Sequence, residues 1–196
     1  MHQASALLLA AGSAKRMGRL KQLLPLADKS AIHHCIDAIV AAGIQDITVV
    51  IGPGHEEIRK AVNGSPVRIT VNGKAGSEMA ESVRVGLAAA AAACSAFLIC
   101  LADHPLVSAA TIRTLIEAYD RRPGLIVIPV YHGRRGHPCV FPADAVMKVF
   151  SGMNLREIVS ADPSRVEYVE VDDEGVVLDM DTEEDYRVML EKFTHD

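Results

Sequence analysis

A run near the amino terminus combines small residues with positive charge. It reads LAAGSAKRMGRLK from Leu9 to Lys21 and directly follows an apolar stretch. Small residues let a ligand approach the backbone, whose N–H groups can bind phosphate oxygens or the edge of a base. In a chain of net charge −5, cations cluster here: Lys15, Arg16, Arg19 and Lys21. The run therefore predicts a binding site for a polyanion, with a solvated surface turn as the alternative.

Two well-known glycine-rich phosphate loops do not match this run. Gly12 and Gly18 are spaced too widely for the G-x-G-x-x-G dinucleotide fingerprint. The Gly-Lys-Ser/Thr that closes a Walker A loop is missing as well. If this run binds phosphate, it belongs to a different class of nucleotide site.

The elements that must position this run alternate between strand and helix. Apolar runs of strand length lie at 4–9, 47–51, 67–71, 97–101, 125–130, 166–171 and 176–180. Helical periodicity or capping signals mark 30–42, 56–62, 78–93, 108–119, 155–160 and 182–192, with a short helix starting at Pro142. This alternation predicts an α/β fold with three α/β/α layers around a mostly parallel, twisted sheet.

Ligands of such sheets bind beyond the carboxyl ends of the strands. This rule directs attention to the segments that follow the first, fourth and fifth predicted strands: AAGSAKRMGRLK, ADHP and GRRGHP. We therefore expect the chemistry of the protein to lie in these three segments.

Length and composition indicate a single domain over residues 1–196, since 49% of residues are hydrophobic and 23% are charged. Excess acid without a basic run excludes general binding to nucleic acid or anionic membranes. The stretch 85–102 approaches the length of a membrane span, but half of it is alanine or glycine, so it predicts a buried helix that leads into a buried strand. Four widely spaced cysteines and no secretory signal predict a cytoplasmic protein.

Five segments resemble one protein family. The run LAAGSAKRMGRLKQLLPL is similar to the signature of the MobA-like NTP transferases, and further resemblances follow in order at 76–83, 102–106, 136–138 and 179–186. The resemblance implies a Rossmann-like nucleotidyltransferase fold, of the nucleotide-diphospho-sugar transferase type, and a Mg²⁺-dependent enzyme. Ala10-Ala11 and the Gly-His-Pro segment are more similar to the molybdenum cofactor cytidylyltransferase (MocA-like) branch. The guanylyltransferase branch usually has Asp where this chain has Leu20, so the resemblance favours CTP over GTP.

The resemblance implies how the nucleotide is held. Arg16 and Lys21 would grip the triphosphate and neutralise charge as pyrophosphate departs, and with Asp103 they form the predicted catalytic set. Ser82 would bond the base or ribose, although a helix serine that faces solvent or bonds back to a carbonyl is an equal alternative. Backbone groups of the first turn would contact the nucleotide: Leu9, Ala10, Ala11 and Gly12.

Two carboxylates are the predicted Mg²⁺ ligands, Asp103 and Asp181. Asp103 comes directly after the apolar run FLICLA, and its alternative role is to cap the turn before Pro105. Asp181, with Asp179 before it, lies beside a helix start that it could instead stabilise. Since Mg²⁺ usually takes one or two carboxylates plus substrate phosphates, two aspartates suffice.

The acceptor would lie near Gly136 and His137, although His137 could also be a simple turn histidine. Arg134 and Arg135 make the same turn cationic, which suits an anionic acceptor. His104 stands where the family often has glutamine, which leaves any base or acceptor contact at that position open.

These parts predict the transfer of a nucleoside monophosphate, with CMP from CTP favoured, to a phosphate-bearing acceptor. The acceptor favoured by the resemblance is a molybdopterin-type cofactor, with a molybdoenzyme apoprotein as a further partner. One alternative is a cytidylyltransferase for a sugar or polyol phosphate, of the methylerythritol phosphate type. The other is a non-catalytic carrier of nucleotide or cofactor for molybdoenzyme maturation.

Overall fold

The computed structural model describes residues 4–12, 18–90 and 94–195. The strands in this part of the chain are β1 (Ala4–Ala10), β2 (Pro25–Leu26), β3 (Lys29–Ser30), β4 (Asp46–Ile51), β5 (Arg68–Val71), β6 (Ala96–Leu101), β7 (Ile126–Tyr131), β8 (Arg134–Arg135), β9 (Cys139–Pro142) and β10 (Val166–Glu170). The α-helices are α1 (Ala31–Ala41), α2 (Glu56–Ala61), α3 (Met79–Ala89), α4 (Ala109–Arg121), α5 (Ala143–Val146), α6 (Leu155–Ala161) and α7 (Glu183–His195). Short 3₁₀ helices cover Lys21–Leu23, Met147–Ser151, Pro163–Arg165 and Glu174–Val177.

A central sheet has the strand order β10-β7-β9-β6-β1-β4-β5, with β8 paired to β7. β1 runs parallel to both of its neighbours, β4 and β6, and β5 runs parallel to β4. The carboxyl ends of these four strands therefore lie along one edge of the sheet. β9 runs antiparallel to β6 and β7, and the sequence did not indicate it. The sheet confirms the predicted mostly parallel α/β fold.

The core lies on both faces of the sheet because successive β1 side chains point in opposite directions. Ala6 and Leu8 pack with residues of α1 and α4 in one apolar cluster. Leu7 and Leu9 pack with residues of α3 in another. Burial of each leucine contributes roughly 1.5–3 kcal/mol, so the apolar run from Ala6 to Ala10 explains the central place of β1. The result is the predicted arrangement of helix, sheet and helix layers.

The predicted strand at 176–180 is wrong. The chain there forms a 3₁₀ helix at Glu174–Val177 and then joins no strand ladder. Its backbone makes single hydrogen bonds instead: the His137 N–H donates to the Val176 carbonyl at 2.8 Å, and the Met180 N–H donates to the Asp103 carbonyl at 3.0 Å. Val176 and Met180 are fully buried, so the apolar run reflects burial of an irregular segment.

The apolar stretch 85–102 forms the end of α3 and then β6, as predicted, although α3 ends at Ala89. The predicted continuation of the helix over 91–93 lies outside the described residues. No helix in the described part of the chain has the length and apolar character needed to cross a lipid bilayer.

A side chain cannot fit at Gly136, so we expect a substitution at this position to lower the stability of the protein. A Cβ atom there would lie 2.2 Å from the Val176 carbonyl oxygen. We expect Gly136→Ala to lower the free energy of unfolding by about 1–3 kcal/mol, because the backbone of the 174–177 segment must move. Urea unfolding of the wild type and the variant measures this change. Gly73→Ala is the control, since a Cβ there meets no atom within 4 Å, and equal losses in the two variants would contradict the prediction.

Candidate active site

A cleft of about 440 Å³ opens at the carboxyl ends of β1, β4, β5 and β6. Its walls come from the segments that follow these strands, together with the start of α3. The residues that line the cleft include Leu9, Ala11, Gly12, Lys21, Gln22, Asn72, Ser77, Ser82 and Asp103. The cleft is thus where the strand-end rule predicts a ligand, and its location follows from the sheet.

The turn after β1 is held by Gln22, which is 2% exposed. Its side-chain Nε2 donates to the carbonyls of Ala10 and Gly12, at 3.3 and 3.2 Å. The Leu9 carbonyl accepts from the Ala102 N–H, so the backbone here is tied to the segment after β6 as well. The sequence analysis missed Gln22, although it directly follows Lys21. The predicted phosphate ligand Arg16, with Lys15 beside it, lies outside the described residues.

Lys21 joins two carboxylates that are distant in sequence. Its Nζ donates to Asp103 Oδ2 at 2.5 Å and to Asp181 Oδ1 at 2.6 Å. Lys21 begins a 3₁₀ helix, Asp103 follows β6, and the hydrogen bond from the Met180 N–H to the Asp103 carbonyl brings Asp181 alongside. The side chains of Lys21 and Asp103 are 14% and 21% exposed, which limits screening by water. The structure therefore brings three predicted site residues into one cluster.

The environment of Lys21 holds its ammonium charged. Burial alone would lower its pKa, but the attraction of Asp103 and the hydrogen bonds to Asp103 and Asp181 together raise the pKa above its usual value of 10.5. One ammonium and two carboxylates together carry more negative than positive charge. A cluster of this charge can accept a cation.

Asp103 has one carboxylate oxygen that a divalent cation could satisfy. Asp103 Oδ1 is buried and has no hydrogen-bond partner among the described residues. Such an orphaned oxygen is costly unless a ligand or ion satisfies it, and carboxylate oxygen is the donor that Mg²⁺ prefers. No group of three or more His, Cys, Asp or Glu side chains in the described ranges is placed to hold a metal. The protein would therefore supply Asp103 and Asp181, and phosphate oxygens of a substrate would complete the coordination.

His104 lies beside this oxygen. Its Nδ1 donates to the Gly175 carbonyl at 3.3 Å, because a carbonyl can only accept, and its Nε2 lies 3.9 Å from Asp103 Oδ1. The ring is 9% exposed. His104 thus packs behind Asp103 as part of the wall that holds this carboxylate.

The start of α7 is capped without the Asp181 side chain. Thr182 Oγ1 accepts from the Asp185 N–H at 3.2 Å, and Asp185 Oδ2 accepts from the N–H groups of Thr182 and Asp181 at 2.7 and 3.2 Å. These contacts satisfy the backbone N–H groups of Asp181, Thr182 and Asp185 at this end of the helix. Of its two predicted roles, Asp181 has the geometry for the one in the cleft.

Uncharged polar groups line the other end of the cleft. Ser82 is 5% exposed, and its Oγ accepts from Asn72 Nδ2 at 2.9 Å. Asn72 also donates to Ser77 Oγ at 2.8 Å. Asn72 directly follows β5, so the strand-end rule applied to the third predicted strand would have found it. The sequence analysis named only Ser82 of these three residues.

The predicted acceptor residues do not line this cleft. The Gly136 N–H donates to the Pro129 carbonyl at 2.9 Å, and its Cα packs against Val176. The His137 ring lies edge-on to His104, with the ring centroids 5.7 Å apart. The structure thus places both residues behind the Asp103 wall, on the side of β7 and β9.

Arg19 turns away from the cleft. Its Nη2 donates to both carboxylate oxygens of Glu183, at 3.0 Å each, and its guanidinium carbon lies 5.6 Å from the ring centroid of Tyr186. Of the four cations in the amino-terminal run, Lys21 is the one that the described residues place inside the cleft. Arg19 instead joins the first turn to α7.

Comparison with known proteins agrees with this geometry. The MobA-like NTP transferase domain model matches residues 6–161. A protein named nicotine blue oxidoreductase from Paenarthrobacter nicotinovorans is 32% identical over 195 residues, which cover 93% of this chain and 94% of that protein. The molybdenum cofactor cytidylyltransferase of Escherichia coli K12 is 23% identical over 197 residues, 96% of each chain. Longer proteins named bifunctional protein GlmU also match, but the match with the one from Sorangium cellulosum spans only 26% of that protein.

Solved structures share the whole fold. Rv0371c from Mycobacterium tuberculosis H37Rv has a TM-score of 0.82 and 27% identity over 97% of this chain and 98% of that chain. A structure of Rv0371c in complex with manganese has a TM-score of 0.79 and 26% identity, covering 96% and 98%. A nucleotidyl transferase from Methanothermobacter (Mth528) has a TM-score of 0.84 and 23% identity over 98% of both chains, which supports the fold alone. The comparisons confirm the predicted Rossmann-like nucleotidyltransferase fold.

His137 should make the stability of the fold depend on pH. Its burial, followed by the nearby His104, lowers the pKa of His137 from 6.5 to about 4, against a smaller opposing effect of Asp103. Above pH 6.5 the ring is neutral in both states. Below it the unfolded chain gains a proton that the folded chain does not, so stability falls as pH drops from 6.5 towards 4.

We expect His137→Asn to remove this loss. Between pH 7.5 and pH 4.5 the wild type should lose on the order of 2 kcal/mol more of its unfolding free energy than the variant. Urea unfolding at both pH values measures the difference. The control is His132→Asn, because His132 is exposed and asparagine tolerates its φ of 48°. If His132→Asn diminished the loss as much as His137→Asn, the assignment to His137 would be wrong.

Proposed function

The chain belongs to the MobA-like NTP transferase family, and on that basis we propose that it transfers a nucleoside monophosphate from a nucleoside triphosphate to a phosphate-bearing acceptor. The observation that supports this most directly is the Lys21 cluster at the foot of the first turn. A buried ammonium and two carboxylates at the carboxyl ends of parallel strands suit a triphosphate and its cation. We propose the same catalytic and nucleotide-binding residues that the sequence predicts, and Arg16 is one of them.

The proposed step is a displacement at the α-phosphorus. A phosphate oxygen of the acceptor forms a new bond to that phosphorus, the bond to the oxygen that bridges to the β-phosphorus breaks, and pyrophosphate leaves with the electron pair. A phosphate monoester is already anionic near neutral pH, so the nucleophile needs no strong base. Lys21, held charged by its neighbours, would offset the negative charge that grows on the leaving group.

Asp103 and Asp181 would hold a divalent cation, with Mg²⁺ proposed. When bound, such an ion neutralises charge on phosphate oxygens and helps to orient them. Asp103 Oδ1, buried without a partner in the described residues, is the atom available for it. Since Lys21 bonds to Oδ2 of the same carboxylate, Asp103 would orient the ammonium and the ion relative to each other. The manganese complex of Rv0371c is consistent with a divalent ion in this fold.

For the substrates we propose CTP and a molybdopterin-type acceptor. Support comes from Ala10-Ala11 in the first turn and from the similarity to a molybdenum cofactor cytidylyltransferase. A molybdoenzyme apoprotein would then receive the product. The enzymatic alternative keeps the same chemistry with a sugar or polyol phosphate as acceptor. Gly136 and His137 are proposed to lie near the acceptor, on the β7 side of the phosphates.

A redox activity is the second candidate function. It is favoured by the full-length similarity to a relative whose name is nicotine blue oxidoreductase. A fold of this kind carries more than one chemistry, so the site must decide between them. Nucleotidyl transfer requires the charged side chains of Lys21 and Asp103 beside the phosphates, and it is followed by the release of pyrophosphate. A redox reaction would be followed instead by the change in absorbance of its substrate.

Charge removal in the cluster tests the transferase directly. We expect Lys21→Met and Asp103→Asn each to lower pyrophosphate release from CTP and molybdopterin by roughly 100-fold or more, because the first removes the cation that offsets charge on the leaving group and the second removes a proposed ligand of the divalent ion. Pyrophosphate release is measured across the four nucleoside triphosphates, with and without acceptor. Lys29→Met and Asp37→Asn are matched controls, since these residues form an exposed ion pair at 2.8 Å outside the cleft.

Full activity in both cleft variants would rule out this mechanism. Pyrophosphate release that requires a sugar or polyol phosphate instead of molybdopterin would favour the enzymatic alternative. Nucleotide binding without turnover under any acceptor would favour the carrier. An electron-donor-dependent change in the absorbance of an organic substrate, unaffected by Lys21→Met, would favour the redox candidate.

Metal removal gives an independent test. We expect chelation with EDTA to abolish pyrophosphate release and added Mg²⁺ or Mn²⁺ to restore it. Asp181→Asn should raise the metal concentration needed for half-maximal activity by about tenfold, because one of two carboxylate ligands is lost. Asp37→Asn, on the exposed pair, should leave the metal dependence unchanged. Activity that persists in EDTA, or an unaltered metal requirement in Asp181→Asn, would contradict the metal assignment.

A further inference from the structure

We propose that Asn72 sets the base preference of the cleft by making the hydroxyls of Ser77 and Ser82 hydrogen-bond donors towards the ligand. The ligand edge that fits two such donors has two neighbouring acceptors, as in cytosine. This inference rests on the proposed function, because it assigns the part of the same cleft in which the base would lie. Asn72 would act through the serines as a positioning residue.

Asn72 is rigidly held. It is 1% exposed and directly follows β5, and its backbone N–H donates to the Ile51 carbonyl at 2.9 Å, which extends the β4–β5 pairing by one bond. A buried amide side chain must satisfy its own donors and acceptor, so its orientation depends on its neighbours.

The backbone of Lys74 determines which way the amide points. The Lys74 N–H can only donate, and it donates to Asn72 Oδ1 at 3.1 Å. The amide nitrogen must then face the serines, where Nδ2 lies 2.8 Å from Ser77 Oγ and 2.9 Å from Ser82 Oγ. If the oxygen and nitrogen of the Asn72 amide were exchanged, the Nδ2 donor would face the Lys74 N–H, which is also a donor. Hydrogen-bond chemistry therefore decides the orientation of this amide.

Both serine oxygens consequently act as acceptors. Each hydroxyl has a single hydrogen, and that hydrogen cannot point at Asn72 because an amide N–H already points towards the oxygen. Within the described ranges neither hydroxyl donates to another protein group. Ser77 and Ser82 both line the cleft. Two hydroxyl hydrogens are therefore available to a ligand there.

Ser77 and Ser82 lie at the other end of the cleft from the charged Lys21 cluster. In the sheet order, Asp103 follows β6 and Lys21 lies near the end of β1, whereas Asn72 follows β5, which is two strands beyond β1. The β1–β6 end of the cleft holds the buried Lys21 cluster and suits phosphates. At the β5 end the buried polar groups, Asn72 and Ser82, are uncharged and suit a base edge, while Lys74 in the same wall is mostly exposed and pairs with Glu81 at 2.8 Å. A nucleotide that spans both ends would present its base edge to Ser77 and Ser82.

Base chemistry then selects the ligand. Cytosine carries two neighbouring acceptors, N3 and O2, on its pairing edge, which match two donors. Uracil has an N–H at position 3. A serine oxygen could accept this N–H only with its remaining lone pair, and the hydrogen of that hydroxyl would then lose its partner, which costs free energy. Guanine has one acceptor, O6, and two donors on its pairing edge, and its second acceptor N7 lies beside O6 on the major-groove edge, outside the pairing edge. The donor pair therefore favours CTP over UTP and GTP.

Asn72→Asp tests this polarity with almost no change in shape. A carboxylate still accepts from the Lys74 N–H, but it also accepts from both serines, so their hydrogens turn away from the ligand. We expect the ratio of CTP affinity to UTP affinity to fall by about tenfold or more, since a matched hydrogen bond becomes an unmatched one. The added negative charge weakens every triphosphate, and the ratio removes that common effect.

Isothermal titration of the full chain with CTP, UTP and GTP in Mg²⁺ gives these affinities. Asn63→Asp, which makes the same change at an exposed position outside the cleft, is the matched control and should keep the wild-type ratio. Ser77→Ala and Ser82→Ala should each lower the CTP-to-UTP ratio. Thermal unfolding checks that every variant folds, and if Asn72→Asp does not, the two serine variants still decide.

Several results would overturn the inference. Equal weakening of CTP and UTP in Asn72→Asp would show a merely structural role. A wild type that binds GTP or UTP as tightly as CTP would contradict the donor pair, while leaving nucleotidyl transfer intact. Absence of any triphosphate binding by the wild type would instead remove the proposed function on which the inference rests.

Discussion

The ion cluster of Lys21 with Asp103 and Asp181 is the interaction on which the candidate site depends. Lys21 precedes Asp103 by 82 residues and Asp181 by 160 residues in the chain. Its Nζ lies 2.5 Å from Asp103 Oδ2 and 2.6 Å from Asp181 Oδ1. Taking an ammonium out of water is costly unless carboxylates accept its hydrogens, and the two carboxylates repel each other unless a cation lies between them. Each member of the cluster therefore requires the others. The remaining negative charge and the orphaned oxygen of Asp103 make the cluster suited to a substrate that brings its own cation.

The fold supports this cluster through backbone contacts at the end of the sheet. β1 and β6 pair in parallel, so the first turn and Asp103 emerge side by side. Gln22 ties down the turn, and the hydrogen bond from Met180 to the Asp103 carbonyl draws the segment before α7 over the same edge. The Lys21 cluster lies at the ends of β1 and β6, whereas the buried polar groups at the end of β5, Asn72 and Ser82, are uncharged. The division suits a ligand with one charged end and one neutral, hydrogen-bonding end, as a nucleoside triphosphate has.

Family membership narrows the function without deciding it. Relatives that cover almost all of this chain include one named as a cytidylyltransferase and one named as an oxidoreductase. Chains similar to this one thus carry names of different chemistry, and the side chains of the site, rather than the fold, decide the reaction. In this chain the described part of the cleft holds a lysine and two aspartates at one end and a polarised pair of serines at the other. That arrangement supports nucleotidyl transfer and carries the proposals made for the substrate.

Local sequence determined most of the elements, because apolar runs of strand and helix length report burial directly; β1, β4, β6 and α4 lie within a residue or two of their predicted bounds. It also determined the family and the first turn, since the small residues and Lys21 belong to one short run of the chain. Only the tertiary structure decided the rest. The antiparallel β9 and the irregular course of 176–180 depend on partners far away in sequence, and the same is true of Arg19 facing α7. Likewise, the polarity of Ser77 and Ser82 follows from the buried amide of Asn72, whose orientation no pattern of residue types reveals.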